Sequence, residues 1–243
     1  MRLASALSVT TSNLRAAIRD WVAKGDASTG TSPSDVTLYA LYQQRFYRLL
    51  AGDDRLAKGT LARLPADLRK AGSDLVAAHR ELYRLTPPIA ARTIKVGPAR
   101  PAGVLLRYYR EAERRFHVPW SVLAAVNFVE SKFGKLRSAS AAGAQGPMQF
   151  LPATWRAYGL GGNVHNPHDA ILGAANYLNA SGAPRDLRRA LHAYNPSNAY
   201  VDAVLRYTRR LQADRTTFYA LYSWQVFVKT PQGDRRVTGP RLP

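Results

Sequence analysis

Glu130 is the residue of this chain best placed to move a proton. It closes the apolar run Val122-Leu123-Ala124-Ala125-Val126-Asn127-Phe128-Val129 and is the only Asp or Glu from residue 114 through 168. Helical spacing puts it on the face of Val126 and Asn127, one turn back. A carboxyl among apolar neighbours keeps its proton to higher pH, because burial penalises the charged form. A general acid working near neutrality needs that property. The plain alternative is a helix-end glutamate that points to water or bonds an arginine.

Two further segments carry side chains suited to holding a polar substrate. After Ser131-Lys132-Phe133-Gly134, where the glycine can end the helix, the chain reads from Ser140 through Gly143, Gly146, Pro147, Met148 and Gln149 to Phe150. Glycines among small residues let backbone approach a ligand closely. The Gln149 amide both donates and accepts, and Ser140 adds a hydroxyl. Taken alone, this is equally a loop before a helix starting near Pro152. The third segment is Ala193-Tyr194-Asn195-Pro196-Ser197-Asn198-Ala199-Tyr200-Val201. The Tyr194 ring could wall a sugar site while its hydroxyl reaches a carboxyl. Asn195-Pro196 is also simply a turn signal.

Together the three segments, in this order, resemble the catalytic domain of lytic transglycosylases, the murein-cleaving relatives of lysozyme. The shared features are Glu-Ser-x-x-Gly, a Ser/Gly/Gly/Met/Gln loop and Tyr-Asn, with Asn166-Pro167 through Gly173-Ala174 and Tyr177-Leu178 between them. The likeness spans about residues 102–213. Gly146-Pro147-Met148-Gln149-Phe150 and the Tyr194 segment look closest to the membrane-bound transglycosylase B-like, actinobacterial branch, with the soluble branch second. The soluble branch often has glycine after Tyr-Asn-x, where this chain has Pro196-Ser197. The resemblance implies Glu130 as the catalytic residue, with Ser140 and Gln149 orienting the sugar. Tyr194 would hold Glu130 or the substrate N-acetyl group, and Asn195 would support that turn. It implies no cofactor and no metal, and the chain has no Asp-x-Asp/Asn-x-Asp/Asn-Gly calcium loop. It further implies a single-acid route to a 1,6-anhydro sugar from peptidoglycan strands. A conventional glycosidase needs a second carboxylate, and only the distant Asp169 or Asp202 could supply one.

The elements that must position these residues read as mainly α, a lysozyme-like domain preceded by a helical segment. Helices are expected over 12–24, with Ser12 or Asn13 as cap, from Ser34 or Asp35 to about Leu50, over 66–85, from 104 to 116, from Pro119 through the Glu130 run, and over 168–180 and 185–213. Buried faces are expected through Leu38, Tyr42, Phe46 and Leu49/Leu50, and through Val104, Leu105, Tyr108, Ala112 and Phe116. Leu75, Tyr83 and Leu85 are apolar positions of the 66–85 helix. Residues 86–102, with Pro87, Pro88, Pro98 and Pro101, are the linker candidate. The division is then 1–101, a helical region of unassigned role; 102–215, the catalytic domain; and 216–243, a tail in which Trp224–Lys229 and Arg235–Thr238 could pair as a short hairpin.

Composition narrows the partners. The chain has 243 residues, 35 basic against 16 acidic, a net charge of +19, and no cysteine. Disulfides, cysteine nucleophiles and thiolate metal sites are excluded. The basic excess is eight in the first hundred residues and eleven in the rest, so it is no tail. Such a surface favours a polyanion: nucleic acid, an anionic membrane or an acidic wall polymer. No single-strand-binding or helix-turn-helix motif supports nucleic acid. The competing readings are a hydrolytic muramidase on the same fold and a noncatalytic wall-binding module. Residues 1–7 lack an apolar signal core, although a murein substrate requires the cell envelope or the exterior.

Overall fold

A computed structural model describes residues 2–89 and 94–240. Eleven α-helices and one antiparallel hairpin are formed among them. The N-terminal region holds α1 (Arg2–Ala23), α2 (Ser34–Gly52), α3 (Asp54–Leu61) and α4 (Ala66–Leu85). The following region holds α5 (Ala102–Phe116), α6 (Trp120–Ser131), α7 (Pro152–Tyr158), α8 (Pro167–Ala180), α9 (Leu187–Tyr194) and α10 (Asn198–Ala213). Next come α11 (Thr216–Ser223), β1 (Phe227–Thr230) and β2 (Gly233–Arg236). No described helix is long and apolar enough to cross a membrane.

α6 is the axis of the arrangement. Every residue from Trp120 to Phe128 is buried, as an all-round apolar helix requires. α5 and α8 pack on one side of it and α10 on the other, and α10 lies in turn against α4. α1 packs on α2 and α11, and α2 packs on α4. One hydrophobic cluster therefore runs from Leu7, Leu14 and Trp21 through Tyr109 and Phe128 to Tyr207, Phe218 and Trp224. Both sides of the proline-rich segment contribute to it.

Several elements differ from the sequence expectation. α1 continues back to Arg2 because Leu7, Leu14, Ile18 and Trp21 make one long buried stripe, while Ser12 and Asn13 face solvent. The buried face of α2 is Val36, Ala40, Tyr47 and Leu50, and Tyr42 and Leu49 are exposed. Gln43 and Gln44 can enter that face because their amides are satisfied. Gln44 exchanges two hydrogen bonds of 2.9 Å with the Gln225 backbone, and Gln43 donates to Thr11. On α5 the buried positions are Leu105, Leu106, Tyr109 and Ala112, so the stripe is rotated from the expected one. Tyr83 and Leu85 on α4 are exposed. The 185–213 stretch breaks at Asn195–Ser197, where the Ser197 side chain caps α10. α3, capped by Asp53, and α11 are additional helices. In the linker segment Val96 bridges to Leu136, and Ile89 donates to the Lys229 carbonyl at 2.8 Å.

The α4–α10 seam carries an ion cluster on one carboxylate. Asp74 lies 2.8 Å from Arg209, 2.9 Å from Arg210 and 3.6 Å from Arg206, and Arg206 also reaches Glu81 at 3.4 Å. The Asp74 side chain is only 11% exposed. Removing one partner of a buried ion pair leaves uncompensated charge behind. Asp74→Asn, which keeps the shape, is expected to lower unfolding free energy by about 3 kcal/mol. Urea denaturation will check this, and an unchanged midpoint would reduce the seam to simple packing.

Candidate active site

Glu130 stands at the next-to-last position of α6, and the helix stops just beyond it. Lys132 (φ 53°), Phe133 (φ 62°) and Gly134 (φ 81°) all take left-handed backbone, which turns the chain sharply away. Glu130 is half-buried, open enough to meet a ligand. Burial nevertheless raises its pKa from 4.5 to about 7. Two weaker influences oppose the rise: a hydrogen bond from Tyr200, whose hydroxyl donates to Oε1 at 2.7 Å, and the positive charge of Lys132. Tyr200 is itself buried beside this carboxyl, and both facts push its phenol far above its ordinary value. It stays a donor at every relevant pH.

The loop after α6 is fastened to the same helix. The Pro147 carbonyl accepts from Asn127 Nδ2 at 2.7 Å and from the Ser131 hydroxyl. Asn127 is fixed in turn by Tyr109, whose hydroxyl donates to its Oδ1 at 2.6 Å. Gln145 and Phe150 exchange two backbone hydrogen bonds of 2.9 Å, closing the loop on itself. Within it, Gly146 has φ +73°, and a Cβ there would stand 2.0 Å from the Val164 carbonyl oxygen. Only glycine fits.

The residues singled out from sequence fall into two groups. Tyr194 lies close enough to Glu130 to feel its charge, and Gln149 stands next to the Met148 that Tyr194 bonds. Tyr194 donates to the Met148 carbonyl at 2.7 Å, beside Gln149, and its phenol is raised mainly by burial and then by the Glu130 charge. Gln149 Nε2 bonds the Gly146 carbonyl at 3.0 Å. No hydrogen bond joins Ser140 or Asn195 to Glu130 among the described residues. The exposed Ser140 hydroxyl accepts from Ala144 at 3.0 Å, and Asn195 caps α9 through its backbone. The sequence reading offered Tyr194 as a holder of Glu130, and Tyr200 is the tyrosine that bonds it. Tyr194 is committed to Met148, whereas the Ser197 cap places Tyr200 in the first turn of α10, against the end of α6. That cap was the available signal. The two distant acids are occupied elsewhere: Asp169 accepts from the Asn163 amide, and Asp202 pairs with Arg188 at 2.7 Å.

Aromatic rings continue the site away from the acid. Tyr194 lies 5.8 Å from Phe150 and 5.6 Å from Tyr177, and Tyr177 lies 4.6 Å from Tyr158. Such a chain offers flat apolar faces with polar rims.

A half-buried acid, a pinned Gly/Met/Gln loop and an aromatic wall are thus gathered on one segment, and residues 107–216 match the family model of the transglycosylase SLT domain. The chain carries an SLT domain. Its family are lytic transglycosylases, lyases acting on peptidoglycan, and the domain belongs to the lysozyme-like superfamily. The matched segment runs from α5 to the first residue of α11 and contains Glu130 and Tyr200. No curated protein and no solved structure matches the chain.

The Tyr200 bond stabilises the ionised form of Glu130, so removing it raises that pKa further. Tyr200→Phe is expected to move the alkaline limb of the rate–pH profile upward by roughly half a unit to one unit, since one hydrogen bond to a charged group is worth about 1.5 kcal/mol or more in isolation and less at a partly exposed site. Tyr194→Phe is expected to leave the limb in place. A profile unmoved by Tyr200→Phe would show that this hydroxyl does not tune the acid.

Proposed function

We propose that the SLT domain cleaves the bond between N-acetylmuramic acid and N-acetylglucosamine and releases a 1,6-anhydro product, with Glu130 as acid and then base. The carrying observation is Glu130 itself, a reachable carboxyl raised to about 7, whose influences are Tyr200 and Lys132 and include no second carboxylate. Near neutrality the carboxyl is about half protonated, so it can deliver a proton to the glycosidic oxygen. The substrate N-acetyl group then stabilises the developing cation. Glu130, now charged and steadied by Tyr200, takes the proton from the C6 hydroxyl, which closes onto C1. A held internal hydroxyl can outcompete water because its effective concentration reaches ~10⁵ M or more.

In this reading Gln149 and Ser140 orient the sugar, Tyr194 shapes the wall on which it lies, and Asn195 supports the turn into α10. The membrane-bound transglycosylase B-like branch fits the Gly-Pro-Met-Gln loop best. The peptidoglycan substrate sets the work at the cell envelope. The basic surface suits strands and wall polymers bearing carboxylates and phosphates, with no nucleic acid involved. Residues 1–101 would brace α10 through α4, and residues 216–240 would close the domain from the other side.

Glu130→Gln keeps size and can still accept from Tyr200, but it has no proton to give. Murein cleavage is expected to fall by about 10²–10⁴-fold. Mass analysis of wild-type digests should find reducing ends one water lighter than hydrolysed ends, and hydrolysed ends alone would make the enzyme a muramidase. The same variant has a stability signature. The folded pKa lies above the ordinary carboxyl value, so the native protein binds the extra proton between about 4.5 and 7 and loses stability as pH rises through that window. Allowing for partial exposure, the loss is on the order of 2 kcal/mol. Glu130→Gln should therefore be more stable than wild type at pH 8 and nearly equal to it at pH 4, as read by thermal melts.

A further inference from the structure

One cavity away from the Glu130 carboxyl is built by the N-terminal helices, α6, α10 and the hairpin together. Its outer part, about 360 Å³, lies against α2, α4 and β2, and its inner part, about 110 Å³, reaches Phe128, Tyr207 and Trp224. Arg48, His79, Tyr83 and Asp234 line both parts. Lys132 lines the inner part, two residues from the acid. Its field reaches Glu130 on one side and Arg48 and His79 on the other.

The walls hold more positive charge than they neutralise. Arg48, Arg80, Arg84, Lys132 and Lys229 share the lining with two carboxylates, Asp54 and Asp234. Arg48 pairs with Asp234 and lies 4.1 Å over the Phe227 ring, so its guanidinium is fixed in place. Lys132 donates to the Phe128 carbonyl at 3.0 Å and rests 4.3 Å over that ring, with no carboxylate in ion-pair contact among the described residues. Burial, then Arg48 and Lys132, hold His79 down at about 3. Its neutral ring therefore offers a donor and an acceptor without adding charge. A half-enclosed space with crowded cations and fixed donors suits an anion, and a planar guanidinium suits a carboxylate.

We propose that this cavity is an anion subsite that takes a carboxylate of the peptide stem while the sugar bearing that stem lies at Glu130. The assignment rests on the transglycosylase reading above. The position favours a stem over a phosphate-bearing wall polymer, because Lys132 ties the cavity to the acid and the stem hangs from the muramic acid whose bond is cut. It also gives residues 1–101 a part in recognition, since α2 and α4 supply Arg48, His79 and Arg84.

Two variants test this. Arg48→Gln removes the central guanidinium. Arg84→Gln, on the exposed rim, makes no hydrogen bond or ion pair among the described residues and so spares the hairpin. On glycan strands with free stem carboxylates, each is expected to raise KM about five- to tenfold, the scale of one charge-assisted hydrogen bond, with kcat within about twofold. On strands whose carboxyls are amidated, wild type and variants should share one KM. Variants that keep the wild-type KM, or that distinguish the two substrates as wild type does, overturn the proposal. A second measurement needs no turnover and so separates this idea from the assignment of Glu130. N-acetylglutamate titrated into Glu130→Gln protein should shift the His79 ring resonances in the NMR spectrum, and Arg48→Gln should abolish the shift. Absence of a shift, or a shift with inorganic phosphate alone, overturns the carboxylate assignment.

Discussion

A carboxyl that must hold a proton near neutral pH has to be dry, and a catalytic carboxyl has to be reachable. Glu130 meets both demands by standing at the end of a helix that is buried from Trp120 to Phe128. Dryness comes from α6 as a whole, with α5, α8 and α10 packed around it. Reach comes from the left-handed turn at Lys132–Gly134, which takes the chain away just past the acid. An acid placed mid-helix would lose access, and one on a loop would lose the apolar setting that lifts its pKa. The geometry of the SLT domain follows from that single compromise.

What remains is to fix a second wall at a set distance, and a short relay of polar groups does so. Tyr109 fixes Asn127, and Asn127 and Ser131 fix the Pro147 carbonyl. The relay is buried and satisfied, and in such surroundings hydrogen bonds are strong and mismatches are costly. Around it the charge is lopsided. Lys132 and Lys135 both lie in the turn that follows Glu130. Burial and mutual repulsion lower Lys135 to about 7, and it spends its protons on the Tyr222 and Trp224 carbonyls. One lysine thus ties the active-site turn to the chain's last helix, while the other is left to face the cavity.

Much of this was legible in the sequence, for identifiable reasons. Glu130, Gly146 and Gln149 stand in local motifs that short stretches of sequence display. Helix ends marked by Pro119, Gly134 and Pro152 read correctly because proline and glycine act on the backbone directly. The buried faces of α2 and α5 read only in part: Leu50, Leu105 and Ala112 are buried, whereas Tyr42 and Leu49 are exposed. Gln43 and Gln44 look like surface residues until Thr11 and Trp224 supply partners for Gln43, and Gln225, 181 positions beyond Gln44, supplies those of Gln44. Tyr200 was missed in the same way, because its role depends on how α10 crosses α6, and no spacing along one segment encodes a crossing. The sequence divides the chain at the proline-rich stretch, and Asp74 with its three arginines joins α4 to α10 across that division.

Residues 223–238 carry a consequence for the order of events during folding. Trp224 and Gln225 bond to Gln43 and Gln44, Ser223 to Ser32, and Thr238 in turn to Gln225. Residues 223–225 therefore complete a core begun 181 to 191 positions earlier. Until they pack, the inner faces of α1, α2 and α6 lack part of their cover. Closure over 181 residues makes this part of folding a late step, governed by loop-closure entropy and not by the quick local formation of helices. A mostly helical protein is thereby given the kinetics of a far less local one.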